Sequence, residues 1–134
     1  MVSGHADVDQ LTARIIGCAI EVHRSLGPGL LESVYRECML IELLRNQLDF
    51  VSEQRIPIRY KGEPICSYLK LDLLVEGCVV VELKAVEQIH PIHLAQVISY
   101  LTLAGCPAGL LVNFNSTSLR LGVRRLNHPA RYKT

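Results

Sequence analysis

The periodicities along the chain predict one mixed domain over residues 1–134, α/β of the α+β kind, with element order ααβββαββ. Three observations carry this expectation. Two amphipathic helical stretches open the chain, a period-two stretch leads into two apolar strands through tight turns, and a helix begun by Pro and stopped by Gly separates the last two strands from the rest. No repeat, low-complexity segment or linker interrupts the order, so a single unit is expected, with residues 1–8 and 127–134 as flexible ends.

From Asp9 to Leu26 the residues Leu11, Ile15, Ile16, Ala19, Ile20, Val22 and Leu26 recur at three- and four-residue steps, the spacing of one helical face. Gly27-Pro28-Gly29 breaks that helix. A second runs from Leu30 to about Asn46, with Leu31, Val34, Tyr35, Cys38, Ile41 and Leu44 expected on its inner face. Then Ser52, Gln54, Ile56, Ile58 and Tyr60 alternate with Val51, Glu53, Arg55, Pro57 and Arg59, a half-buried strand closed by the turn Lys61-Gly62-Glu63-Pro64. Ile65 to Val75 and Val79 to Val86 read as the next two strands of an antiparallel meander. Pro91 suits a first helical turn, Ile92 to Leu103 continues it, and Gly105-Cys106-Pro107 ends it. Gly109 to Phe114 and Ser118 to Val123 read as the final strands, separated by Asn115-Ser116-Thr117.

About half the residues are apolar and a fifth charged, the composition of a globular protein. The longest apolar runs, Leu71 to Val75 and Cys78 to Val81, fall far short of the roughly 20 residues that span a bilayer. Residues 1–10 carry His5, Asp7 and Asp9 and lack a basic start and apolar stretch, so a cytoplasmic location is expected. Five irregularly spaced cysteines show no zinc-ligand spacing and are read as buried structural thiols. A net charge of +1 gives no global pull toward nucleic acid, although Arg120, Arg124, Arg125, Arg131 and Lys133 collect without an acid among them. That cluster reads equally as a phosphate-facing patch and as a solvated tail.

The chemistry lies where charges interrupt apolar strands. In Val79-Val80-Val81-Glu82-Leu83-Lys84-Ala85-Val86, Glu82 and Lys84 share one face with Val80, since side chains two apart on a strand project together. Asp72 interrupts the preceding strand. A two-residue turn at Glu76-Gly77 would send Asp72 and Glu82 to opposite faces. A three-residue connection from Glu76 to Cys78 sets them directly opposite, and that connection is predicted, with Gly77 at positive φ. Opposed carboxylates repel without a cation, so this register predicts a bound metal, of which Mg²⁺ with its preference for oxygen ligands is the natural choice. Lys84 would then orient a hydrolytic water and offset charge on a phosphate. The same three residues would also make a buried ion-pair network that fixes register and does no chemistry.

Asp72, nine intervening residues and Glu82-Leu83-Lys84 resemble the D…ExK core of the PD-(D/E)XK nuclease superfamily, whose restriction-endonuclease-like fold is a mixed sheet flanked by helices. Gly29-Leu30-Leu31-Glu32-Ser33-Val34-Tyr35 resembles the G-x-x-E-x-x-Y signature of the GxxExxY protein family, a branch of that superfamily. With Glu21-Val22-His23, Leu26-Gly27-Pro28 and Asp72-Leu73-Leu74-Val75, the likeness runs from Ile15 to Arg125. It implies Glu32, Asp72, Glu82 and Lys84 as the catalytic set, with Asp72, Glu82, the Leu83 carbonyl and Glu32 holding Mg²⁺ or Mn²⁺. Gln96 and Tyr100, neighbours on one helical face, resemble a QxxxY motif and are implied in substrate binding, as is Tyr35. Read without the resemblance, Glu32 is an ordinary first-turn glutamate and Tyr35 a core tyrosine. His90 and His93 are read as surface or capping residues, and His23 as hydrogen-bonded within the domain.

The leading expectation is therefore a Mg²⁺- or Mn²⁺-dependent nuclease acting on DNA, with a homodimer as the expected means of cutting both strands. The alternative is a catalytically silent module of the same fold that binds nucleic acid or a partner protein. A metal-free scaffold acting by dimerisation is the third reading, and it leaves Asp72 opposite Glu82 with no compensating charge.

Overall fold

Two helices, α1 (His5–Leu26) and α2 (Glu32–Arg45), lead into β1 (Phe50–Tyr60), β2 (Glu63–Val75) and β3 (Val79–Lys84) in a computed structural model that describes residues 5–132. Helix α3 (Pro91–Ala104), strand β4 (Ala108–Asn113), a one-turn helix α4 (Leu119–Gly122), strand β5 (Val123–Asn127) and a 3-10 turn (Pro129–Tyr132) complete the chain. The five strands form one mixed sheet in the order β1-β2-β3-β4-β5. The meander β1-β2-β3 is antiparallel as predicted, β3 and β4 run parallel with α3 as their crossover, and β5 returns antiparallel to β4. Part of the ends expected to be flexible lies outside the described residues. No described helix is long and apolar enough to cross a membrane.

Strands β3 and β4 are buried along almost their whole length, because α1 and α2 cover one face and α3 the other. The first layer packs Ile15, Ala19, Tyr35, Met39 and Leu43 on Leu73, Val81 and Val112. The second packs Val97 and Leu101 of α3 on Val80 and Leu111. Gly105, at φ 69°, closes α3 in the left-handed conformation that the Gly-Cys-Pro stop suggests.

Three expectations are corrected. The inner face of α2 is Tyr35, Met39 and Leu43, whereas Leu31, Ile41 and Leu44 are 75%, 51% and 65% exposed. Apolar residues nearly encircle this helix, so spacing alone does not select a stripe; the packing of Tyr35 on Phe114 does. The last strand is not Ser118 to Val123 but Val123–Asn127, preceded by α4. Leu119, Leu121 and Val123 alternate like a strand, yet Leu119 turns into the core and Gly122 sits so close to Asn113 that a Cβ there would run into the Asn113 carbonyl and the Ser116 side chain. Finally, the five cysteines are unpaired, but Cys66 is exposed and Cys38 only half-buried, so burial does not account for those two.

A kink sits in the β1-β2 ribbon at Glu53, which adopts φ 56° in mid-strand. The ladder pairs Ser52 with Leu73 and Gln54 with Leu71 but skips the Glu53 and Asp72 position between them. On the near side Phe50 and Leu73 pack with the α1-α2 layer; on the far side Ile56 and Leu71 pack with α3. Residues of the same parity thus change faces across the kink, which turns the ribbon about its axis at Asp72.

Tyr35 fixes how α2 approaches this point. Its ring is fully buried and stacked on Phe114 with centroids 4.5 Å apart and planes 4° from parallel. Its hydroxyl donates to the Gly27 carbonyl at 2.6 Å and accepts the Leu30 N–H at 3.1 Å, bracing the turn that delivers Glu32. Tyr35→Phe keeps the stack but removes the partner of both backbone groups, so the urea midpoint should fall by the equivalent of about 1–3 kcal/mol with an unchanged m-value. A loss below about 0.5 kcal/mol would mean that water satisfies the turn and the hydroxyl is not its brace.

Candidate active site

The connection from β2 to β3 is the three-residue turn the sequence predicts. Val75 pairs with Val79, Leu74 with Val80 and Leu73 with Val81, and Gly77 lies at φ 67°. Glu76 also takes a positive φ, 52°, and its carboxylate accepts the Asp49 N–H at 2.6 Å, tying the turn to the start of β1. Continuing this register places Asp72 across from Glu82, where side chains take over the ladder. The Asp72 N–H donates to Glu82 Oε1 at 3.3 Å, and the Leu83 N–H donates to Asp72 Oδ2 at 2.9 Å.

Glu82 is 7% exposed and forms no ion pair among the described residues. Burial raises its carboxyl to about 9, and the charge of Asp72 and the hydrogen bond shared with it add to the rise, while Lys84 opposes it. Lys84, two residues on, is half-buried and makes no side-chain hydrogen bond or ion pair among the described residues. Because a residue's N–H and C=O leave a strand on the same edge, the Leu83 carbonyl faces the β2 side, as its N–H does.

The flanking helices bring the remaining candidates. Glu32 opens α2, and the structure ties it to Arg36 at 3.1 Å; Arg36 in turn lies 3.6 Å from Asp72 Oδ1. Glu32 therefore meets the carboxylate pair through a guanidinium, and no group of three His, Cys, Asp or Glu residues suited to a metal gathers among the described residues. On α3, Tyr100 is half-buried and packs against the cluster of Leu71, Val80 and Val97, and its phenol is raised by burial and then by the charges of Glu82 and Asp72. Gln96, one turn earlier, is exposed. Tyr35 lies beneath, fully buried, with its hydroxyl committed to the turn.

Two residues of the site escaped the sequence reading. Arg36 stands four residues after Glu32, the spacing of a helical ion pair, which was the available signal. Asn113 interrupts the apolar strand β4 as Asp72 interrupts β2. It is buried, its Oδ1 accepts the Val86 N–H at 3.0 Å, and its Nδ2 donates to the Val86 carbonyl at 2.9 Å. It thus fixes the chain just beyond Lys84. The histidines behave as expected: His93 Nδ1 accepts the His90 N–H at 3.0 Å, and His23 Nε2 meets the Ser116 carbonyl at 2.7 Å. Within the basic C-terminal stretch, Arg125 pairs with Asp9 at 2.7 Å and Arg124 donates to the carbonyls of Leu121 and Val123, so both serve the fold. Lys133 lies outside the described residues.

Two carboxylates meeting from adjacent strands beside a backbone carbonyl fit a hard divalent cation that keeps part of its water shell. Glu82 supplies a stability signature of this pairing. A glutamate in an unfolded chain titrates near 4.5, so between about 4.5 and about 9 the folded chain holds a proton that the unfolded chain has lost. This group's contribution to stability consequently declines as pH rises through that window and levels off above it. Thermal midpoints measured in chelator from pH 5 to 9 should fall more steeply for the parent than for Glu82→Gln, with the variant the more stable at pH 8. Parallel pH profiles would mean that Glu82 is not held protonated.

A family model described as the PD-(D/E)XK nuclease superfamily matches residues 9–126, from within α1 to the penultimate residue of β5. No curated protein and no solved structure matches the chain. Nucleases of this superfamily generally use divalent metals and act on nucleic acid. The mixed five-strand sheet flanked by helices agrees with that match: the chain belongs to the PD-(D/E)XK nuclease superfamily.

Proposed function

We propose that this protein is a divalent-metal-dependent nuclease that hydrolyses phosphodiester bonds in DNA, and that within the superfamily it belongs to the GxxExxY branch through Gly29, Glu32 and Tyr35. The observation that carries the reading is Asp72 set against Glu82 across the turn, with Lys84 on the same face of β3 and unengaged. Such an arrangement costs stability in a plain scaffold and is what phosphodiester chemistry requires.

Asp72, Glu82 and the Leu83 carbonyl would hold Mg²⁺ or Mn²⁺. When bound, the cation supplies Lewis acidity at the scissile phosphate and a more acidic water. Lys84 holds the attacking water by hydrogen bond and offsets the negative charge that builds on the phosphate oxygens. Arg36 sits against Asp72, and Glu32 keeps that guanidinium turned toward the pair. Tyr100 offers its hydroxyl to a phosphate oxygen, and Gln96 extends the same helical face toward substrate. Tyr35 acts from below, through the turn that aims Glu32. Working as a homodimer in the cytoplasm would give two such sites for two strands and keep the five thiols reduced.

One observation favours the catalytically silent alternative: the Arg36 guanidinium already stands 3.6 Å from Asp72 and neutralises part of the pair. Cleavage assays separate the two. Labelled single-stranded, duplex and circular DNA should be cut with Mg²⁺ or Mn²⁺, and Lys84→Ala, folded by circular dichroism, should lose at least about 100-fold in rate, the lower range for a group that handles the proton or the developing charge. DNA binding without cleavage under either metal would move the assignment to the binding module.

A further inference from the structure

Beyond its root, where Ile56 and Leu71 pack on α3, the β1-β2 ribbon leaves the sheet and continues past Ile58 and Leu69 as a two-stranded arm. Every residue from Arg59 to Tyr68 is exposed, including Tyr60 at 64%, Ile65 at 46% and Tyr68 at 48%. A lone ribbon of this kind is only marginally stable in water, so its length and its apolar exposure need a use. The register shifts between Pro57 and Arg59, setting three residues of β2 against one of β1, so the ribbon from Glu53 to Tyr60 spans roughly 23 Å at about 3.3 Å per residue, about two-thirds of one turn of duplex DNA.

The arm's decoration points to its occupant. Between Glu53 and Lys70 stand Arg55, Arg59, Lys61 and Lys70 against two acids, in a chain whose total charge is +1. Glu53 is spent on Lys70, 3.8 Å away, leaving Arg55, Arg59 and Lys61 without ion-pair partners among the described residues. The Arg55 guanidinium lies 4.6 Å from the centre of the Tyr68 ring, and the Lys61 ammonium 5.3 Å from that of Tyr60. Each tyrosine therefore carries a cation on one ring face, which holds charge out along the ribbon in place of a bare stacking platform for single-stranded bases. A two-stranded ribbon matches the width of the B-DNA major groove, and the A-form RNA groove is too narrow and deep for it.

From these features we infer that the β1-β2 arm is a duplex-DNA clamp: it lies in the major groove with Arg55, Arg59 and Lys61 on the phosphates, while its root delivers the backbone to Asp72. The inference rests on the nuclease reading for what happens at the root, and on the arm's own charge for the binding. The kink at Glu53 sets the angle at which the arm departs.

The test is fluorescence-anisotropy titration of the full chain in EDTA with a DNA duplex of about 20 base pairs, roughly two helical turns, the same single strand and a duplex RNA, each over a range of salt. The triple variant Arg55→Gln/Arg59→Gln/Lys61→Gln should bind the DNA duplex about tenfold more weakly or worse, with the slope of log K against log salt reduced by about 2 to 3, near 0.9 for each phosphate no longer neutralised. Returning the charges as Arg55→Lys/Arg59→Lys with native Lys61 should restore the slope. An unchanged slope, a parent that prefers single strands or duplex RNA, or a parent that binds no DNA would each overturn the clamp. Cleavage run in parallel separates the two readings. A parent that cuts duplex DNA while the triple variant keeps its slope loses only the clamp; a parent that binds through the arm and cuts nothing loses only the nuclease.

Discussion

The opposition of Asp72 and Glu82 across the β2-β3 turn sets the terms for every other part of the fold. Two acidic side chains that face each other in a nearly dry environment repel, and the fold accommodates them in three ways. Glu82 is pushed toward its neutral form by burial, Asp72 accepts the Leu83 N–H, and Arg36 approaches Asp72 from α2. Each device is local, and each depends on register: a turn one residue shorter would send the carboxylates to opposite faces and leave Arg36 and Lys84 without a role. Glu76 and Gly77, both at positive φ, keep the turn at the length that prevents this.

Around that pair the two helical layers do different work. The α1-α2 layer carries the larger share of the core and uses Tyr35 on Phe114 to fix the turn ahead of Glu32 and Arg36. The α3 layer is smaller, and Tyr100 packs within it beside Leu71 of β2 and Val80 of β3. Asn113 of β4 closes the back by gripping Val86 after Lys84 leaves the sheet. The kink at Glu53 then marks where a sheet packed on both faces gives way to a ribbon whose root, Ile56 and Leu71, still packs on α3 and whose far part, Arg59 to Tyr68, is exposed. A site placed at that boundary has rigid strands behind it and open space before it, which is the setting a preorganised centre requires.

Much of this was legible in the chain because charges inside apolar strands are costly and therefore informative. Glu82 and Lys84 in a valine-rich run, and Asp72 in the strand before, fixed both the face and the turn length, and α3 was bounded by Pro91 and Gly105. Other features were hidden for identifiable reasons. The apolar residues of α2 nearly encircle it, so Leu31, Ile41 and Leu44 read as core when only the Tyr35-Met39-Leu43 stripe is. The alternation from Leu119 to Val123 imitates a strand, and only the close packing of Gly122 on Asn113 makes it a helical turn. The spacing from Glu32 offers Arg36 a helical partner, but its approach to Asp72 emerges only once α2 is placed over β2. The reversal of faces at Glu53 requires a positive φ at a glutamate, which no composition rule anticipates.

Whether the opposed carboxylates form a divalent-metal centre is decided by anomalous diffraction from crystals grown with Mn²⁺. The expected outcome is an anomalous peak bounded by Asp72 Oδ1, the Glu82 carboxylate and the Leu83 carbonyl. A peak only at His90 and His93, or none anywhere while Arg36 keeps its place against Asp72, would refute the metal centre.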